Sequence, residues 1–142
     1  MKILIYGFGL IISLILIAIV IKLILERKTL YKLRNLKEID IEVIGDGVIK
    51  IEDEKIRKLL IKKILVIIKN LKLVYNNSNW DNKRFLYDII SDLEILKDSL
   101  KENILIEADM NRVNTIISVL KIDSNYKRIY ENIIFEWEKN YI

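Results

Sequence analysis

From Ile3 to Ile21 the chain runs nineteen residues without a charged side chain, bounded by Lys2 and Lys22. Only beyond this run do polar positions alternate with apolar ones. A helix rises about 1.5 Å per residue and a bilayer's hydrocarbon core is roughly 30 Å thick, so about 20 apolar residues cross it. The run is mostly Ile and Leu, each favouring insertion by roughly 0.3–0.6 kcal/mol near the helix centre. Leu23, Ile24 and Leu25 add another turn while Lys22 reaches for the headgroups. A transmembrane helix is predicted over Ile3–Ile21, within an anchor and juxtamembrane segment covering residues 1–37. The run exceeds the apolar part of a signal peptide, roughly 7 to 15 residues, and no small-residue pair stands at cleavage spacing after it.

Past the span, Leu25, Leu30, Leu33 and Leu36 recur among charges, which continues the helix to about Arg34. Ile39-Asp40-Ile41-Glu42-Val43 and Ile49-Lys50-Ile51 then alternate at period two around Gly45-Asp46-Gly47. Alternation bounded by glycines predicts a short β-hairpin at about 39–51, the rival reading being a loop. Glu52-Asp53-Glu54 opens the clearest helix, with Ile56, Leu59, Leu60, Ile64, Ile67, Ile68, Leu71 and Tyr75 in one stripe. After Asn76-Asn77-Ser78-Asn79, with Asp81 as the expected N-cap, the next helix lines up Phe85, Leu86, Ile89, Ile90, Leu93, Leu96 and Leu100. Lys101-Glu102-Asn103 reads as a turn. A third helix to about Lys121 turns Val113, Ile116, Ile117 and Leu120 inward. The last helix is expected to be capped by Asp123 or Ser124, with Tyr126, Ile129, Tyr130, Ile133, Ile134 and Trp137 as its stripe. The fold class is therefore mainly all-α: an anchor, a hairpin, then a small bundle of four amphipathic helices forming a domain over 38–142.

Charge refines this picture. The net charge is +4, but residues 1–37 carry +6, 38–53 carry −5, 54–75 carry +6 and the remainder −3. Lys22, Arg27, Lys28, Lys32, Arg34 and Lys37 follow the span, against Lys2 before it. By the positive-inside rule the N-terminus lies outside and the helical domain in the cytoplasm, at the cell membrane. Gly7-Phe8 before an apolar helix resembles the processing site of type IV pilin-like proteins. Ile12 stands where such a site has an acidic residue and the leader is nearly uncharged, so it departs from that pattern. Gly9 and Ser13, four apart, form a small-x-x-x-small pair that lets two anchor helices approach, the basis for expecting a homo-oligomer.

The chemical vocabulary is thin. The chain has no His and no Cys, so thiol nucleophiles, imidazole bases and the usual zinc sites are absent. No Gly-rich phosphate loop and no nucleophile-elbow motif occurs. Glu52-Asp53-Glu54 and the pair Glu107 and Asp109 read as helix-start acids rather than metal ligands. No cofactor, no metal and no catalytic residue is expected, and an enzyme is the least supported class.

Lys55, Arg57, Lys58, Lys62 and Lys69 populate the polar face of the 54–75 helix. They are a solvated face, or a surface for anionic lipid or a partner; nucleic acid is not expected, because aromatic residues are not interleaved with them. Tyr130, Trp137 and Tyr141 are core or edge residues, or a docking surface on the terminal helix. The expected role is that of a protein-interaction or assembly subunit of a membrane complex. The alternatives are an immunity-type or regulatory factor that binds a toxin or enzyme at the inner membrane surface, and a sensor of anionic lipid.

Overall fold

The computed structural model describes residues 2–36, 38–122 and 125–141. Among them are five helices and one antiparallel hairpin, in the order α1 (Lys2–Asn35), β1 (Ile41–Val43), β2 (Ile49–Ile51), α2 (Glu54–Asn76), α3 (Trp80–Glu102), α4 (Glu107–Ile122) and α5 (Tyr126–Asn140). The mainly helical fold, the hairpin and the small bundle are as the hydrophobic pattern predicts.

α2 starts because Asp53 caps it: its backbone is extended, and its carboxylate accepts from the N–H groups of Lys55 (3.0 Å) and Ile56 (3.2 Å). The predicted stripe of α2 is buried from Ile56 to Leu71, with Tyr75 packed on its rim. Its most extensive neighbour is α3, which buries Leu86, Ile89, Ile90, Leu93, Leu96 and Leu100 in the same core. The connection between them is only Asn77, Ser78 and Asn79. α3 consequently begins at Trp80 with Asn79 extended at its N-cap, two residues before the expected Asp81. A three-residue turn between antiparallel helices leaves no chain for a later start. The side chain of Asp81 lies outside what the structure describes.

α3 continues through Lys101 and Glu102, so of the three residues expected to turn only Asn103 leaves the helix, and the connection to α4 runs over 103–106. This residue takes the left-handed conformation at φ 55°, which Asn tolerates better than most. Its amide then pairs with the main chain of Ile51, accepting from the N–H (2.9 Å) and donating to the carbonyl (3.2 Å). β1 pairs with β2 in the register Ile41↔Ile51, Glu42↔Lys50, Val43↔Ile49. Gly45, Asp46 and Gly47 all have positive φ, the reversal for which glycine is suited. An isolated two-stranded ribbon is marginal in water. Here Ile49 exchanges both main-chain hydrogen bonds with Leu105 (2.7 and 3.0 Å), while Ile51 and Leu105 are buried.

α4 buries Met110, Val113, Ile116, Ile117, Val119 and Leu120, and the Asp109 carboxylate accepts from the N–H of Ile106 at its start (3.0 Å). α5 buries Ile129, Ile133 and Trp137, and the Asn125 side chain caps it through Lys127 N–H (3.0 Å). Asp123, Ser124 and Lys37, all named in the sequence reading, lie outside the described residues, as does the side chain of Tyr126.

The end of α1 belongs to the bundle. Leu33 is fully buried, and Leu30 and Leu36 pack against the same core. Glu26 pairs with Lys62, and Lys32 with Asp53 at 2.5 Å. These two pairs make α1 and α2 antiparallel, since moving six residues up α1 moves nine residues down α2. The Lys121 ammonium also donates to the carbonyl of Leu36, tying the end of α1 to α4.

Candidate functional site

α1 is the one described helix long and apolar enough to cross a membrane, and none of its residues from Lys2 to Leu25 is buried against the bundle. Ile3 and Ile21, the ends of the predicted span, are both exposed, as are Gly9 and Ser13. The Ser13 hydroxyl donates to the Gly9 carbonyl one turn back (2.9 Å), which satisfies it within the helix.

Where α1 meets α2, a groove of about 600 Å³ opens between them. Its floor is apolar, from Ala18, Ile21 and Leu25 on one side and Leu59 on the other. Its rim is cationic, from Lys22, Lys55, Lys58 and Lys62. Glu26 lies in the same groove, joined to Lys62. Lys58 reaches Glu54 (3.1 Å), whereas Lys22 and Lys55 make no ion pair among the described residues.

The other predicted cations separate. Lys69 is exposed further along α2, beside a depression of mixed character lined by Leu65, Leu73, Lys72, Glu94 and Lys97. Arg57 turns inward, and its guanidinium donates to the carbonyls of Leu100 (2.8 Å) and Lys101 (3.2 Å). It thereby satisfies the open C-terminal end of α3, whose dipole favours a cation there.

Electrostatics at the far end of this junction centre on Asp53. Its carboxyl is held below the ordinary value of 3.8, chiefly by the hydrogen bond from Lys32. Partial burial opposes this, and the N–H groups of Ile56 and Lys55 and the charge of Lys32 reinforce it.

The terminal aromatics form a cluster with residues that periodicity did not single out. Trp137 is fully buried, and its indole N–H donates to Asp92 (2.7 Å). Arg112 donates to the same oxygen (2.7 Å), and its guanidinium lies over the Tyr141 ring at 5.1 Å. The Tyr141 hydroxyl shares a hydrogen bond with Thr115 (2.9 Å), and its ring meets Trp137 at 5.0 Å. Tyr130 is half-buried against the core. The cluster joins α3, α4 and α5 with one acid and one base, each satisfied by the other. A Trp that must place its N–H when buried was the available signal, but its partner 45 residues away was not legible.

A second surface surrounds the hairpin. Ile41, Val43 and Ile44 are exposed, and so are Ile104 and Ile106 on either side of the Leu105 bridge. β1 has β2 on one side and no strand on its other side among the described residues. No group of three or more potential metal ligands occurs among the described residues.

The chain matches no family model, no curated protein and no solved structure.

Proposed function

We propose that this chain is a single-pass protein of the cell membrane, with its N-terminus outside and its bundle at the cytoplasmic face, that assembles with another protein subunit without catalysing a reaction. The observation that carries this reading is the exposed apolar group Ile41, Val43 and Ile44, on β1 and just after it, along the strand edge that β2 leaves free. Exposed apolar side chains along an unpaired strand edge are the kind that proteins cover with a partner. Its position supports the same reading. β2 leads into α2 beside Lys32, so the hairpin lies at the end of α1 away from the apolar run. The anchor would thus hold the bundle at the leaflet and leave the hairpin facing the cytoplasm.

The acidic stretch 38–53 surrounds this patch, which favours a partner whose complementary face is apolar with basic residues at its rim. Photo-crosslinking residues placed at Ile41 or Val43 of the full chain in native membranes test the proposal. The expected result is the same discrete protein adduct from both positions, lost in the I44D variant probed from Val43. Absence of an adduct, or an identical adduct from Glu131 on α5, overturns it.

A further inference from the structure

We propose that the groove between α1 and α2 binds one anionic phospholipid, its headgroup between Lys22, Lys58 and Lys62 and one acyl chain along Ala18, Ile21 and Leu25. The inference rests on the reading of α1 as a membrane span. The groove combines two chemistries in the order a lipid presents them. Ala18 and Ile21 belong to the uncharged run that would lie in hydrocarbon, and Lys22 is the first charge at its end. α2 then supplies Lys62 about one helical turn past Lys22, because Lys62 pairs with Glu26, and Lys58 one turn beyond it; Lys55 lies further along, toward the pair of Lys32 with Asp53. Glu26 and Glu54 pair with Lys62 and Lys58, so Lys22, Lys58 and Lys62 together keep one positive charge beside the apolar channel, which matches a headgroup carrying one net negative charge. Thr29, the remaining polar side chain of the groove, donates its hydroxyl to the Leu25 carbonyl (2.9 Å) and is not a competing ligand.

A volume of about 600 Å³ accommodates a phosphoglycerol headgroup and the upper part of one chain. The lipid would also fill the gap left where α1 departs from the bundle. It would set the height and tilt at which the bundle sits.

The test uses the full chain in nanodiscs of equal phosphatidylcholine and phosphatidylglycerol, released into mild detergent for native mass spectrometry. One phosphatidylglycerol retained per chain is expected, in preference to phosphatidylcholine. The K22Q/K58Q/K62Q variant should lose that occupancy by about tenfold or more, each cation near a leaflet being worth several-fold in binding. The K22R/K58R/K62R variant should keep it, and so should K101Q/K127Q/K139Q, which makes the same change in net charge on other helices. No preference for phosphatidylglycerol, or equal losses in the two glutamine variants, overturns the proposal. So does displacement of the retained lipid by millimolar inorganic phosphate, which would make the site one for free anions. Failure of the chain to enter nanodiscs of pure phosphatidylcholine overturns the membrane reading itself, and is thereby distinguished from failure of the lipid site alone.

Discussion

Three side chains show how much a single position carries here. Asn103 ends α3 in the left-handed region and at the same time completes the hydrogen bonding of Ile51. Arg57 looks like one more surface cation on α2, yet it closes the C-terminus of α3. Asp53 is both the N-cap of α2 and the partner of Lys32. Removing it in D53A should cost about 1 kcal/mol through the lost cap. The Lys32 pair, mostly in solvent, adds little to that. The measurement is thermal unfolding of the full chain in mild detergent, followed by tryptophan fluorescence. Because the folded carboxyl titrates below 3.8, the stability it confers is present above that pH and is lost as the pH falls through the lower folded value. The gap between wild type and D53A should therefore be constant near neutrality and narrow below pH 3.8. A gap that widens in acid would contradict the assignment.

At the level of elements, the junction of α1 with the bundle matters most. Leu33 lies in the same stretch as the exposed Leu25, and both fit one leucine spacing. Only packing separates them: Leu33 enters the core between α1, α2 and α4, and Leu25 stays on the surface. L33A should destabilise the bundle by roughly 2–5 kcal/mol, the range for an emptied core leucine. L25A should change it by less than about 0.5 kcal/mol. Denaturant unfolding of both variants in the same detergent decides this; equal effects would mean that α1 is not integrated into the core. The hairpin was legible from its alternation and glycines. Its attachment to Leu105 was not, because a backbone pairing between Ile49 and a residue 56 positions later leaves no periodic trace.

For the whole molecule, the uneven charge acquires a direction. Lys22 and Arg27 of α1 and Lys58, Lys62 and Lys63 of α2 flank the place where α1 leaves the bundle. The acidic 38–53 segment sits with the hairpin at the opposite end of that contact. A molecule polarised this way favours its basic end toward an anionic leaflet. The proposed orientation is open to a direct check, since the chain has no cysteine. A single E138C substitution on α5 should react with an impermeant maleimide only after the membrane is opened. Labelling in intact cells would place the bundle outside and reverse the topology.

The order of apolar and polar residues was enough to determine the apolar helix, the hairpin, the four amphipathic helices and most of their buried faces. Each is written locally, at periods of two or three to four, and needs no knowledge of what lies opposite. The tertiary structure alone decided that Leu33 is core, that Arg57 is committed inside the fold, that Trp137 bonds Asp92, and that Lys22 shares a groove with α2. Those outcomes depend on which helices meet and at what height. That is set by side-chain contacts between segments distant in sequence, which periodicity along one segment does not encode.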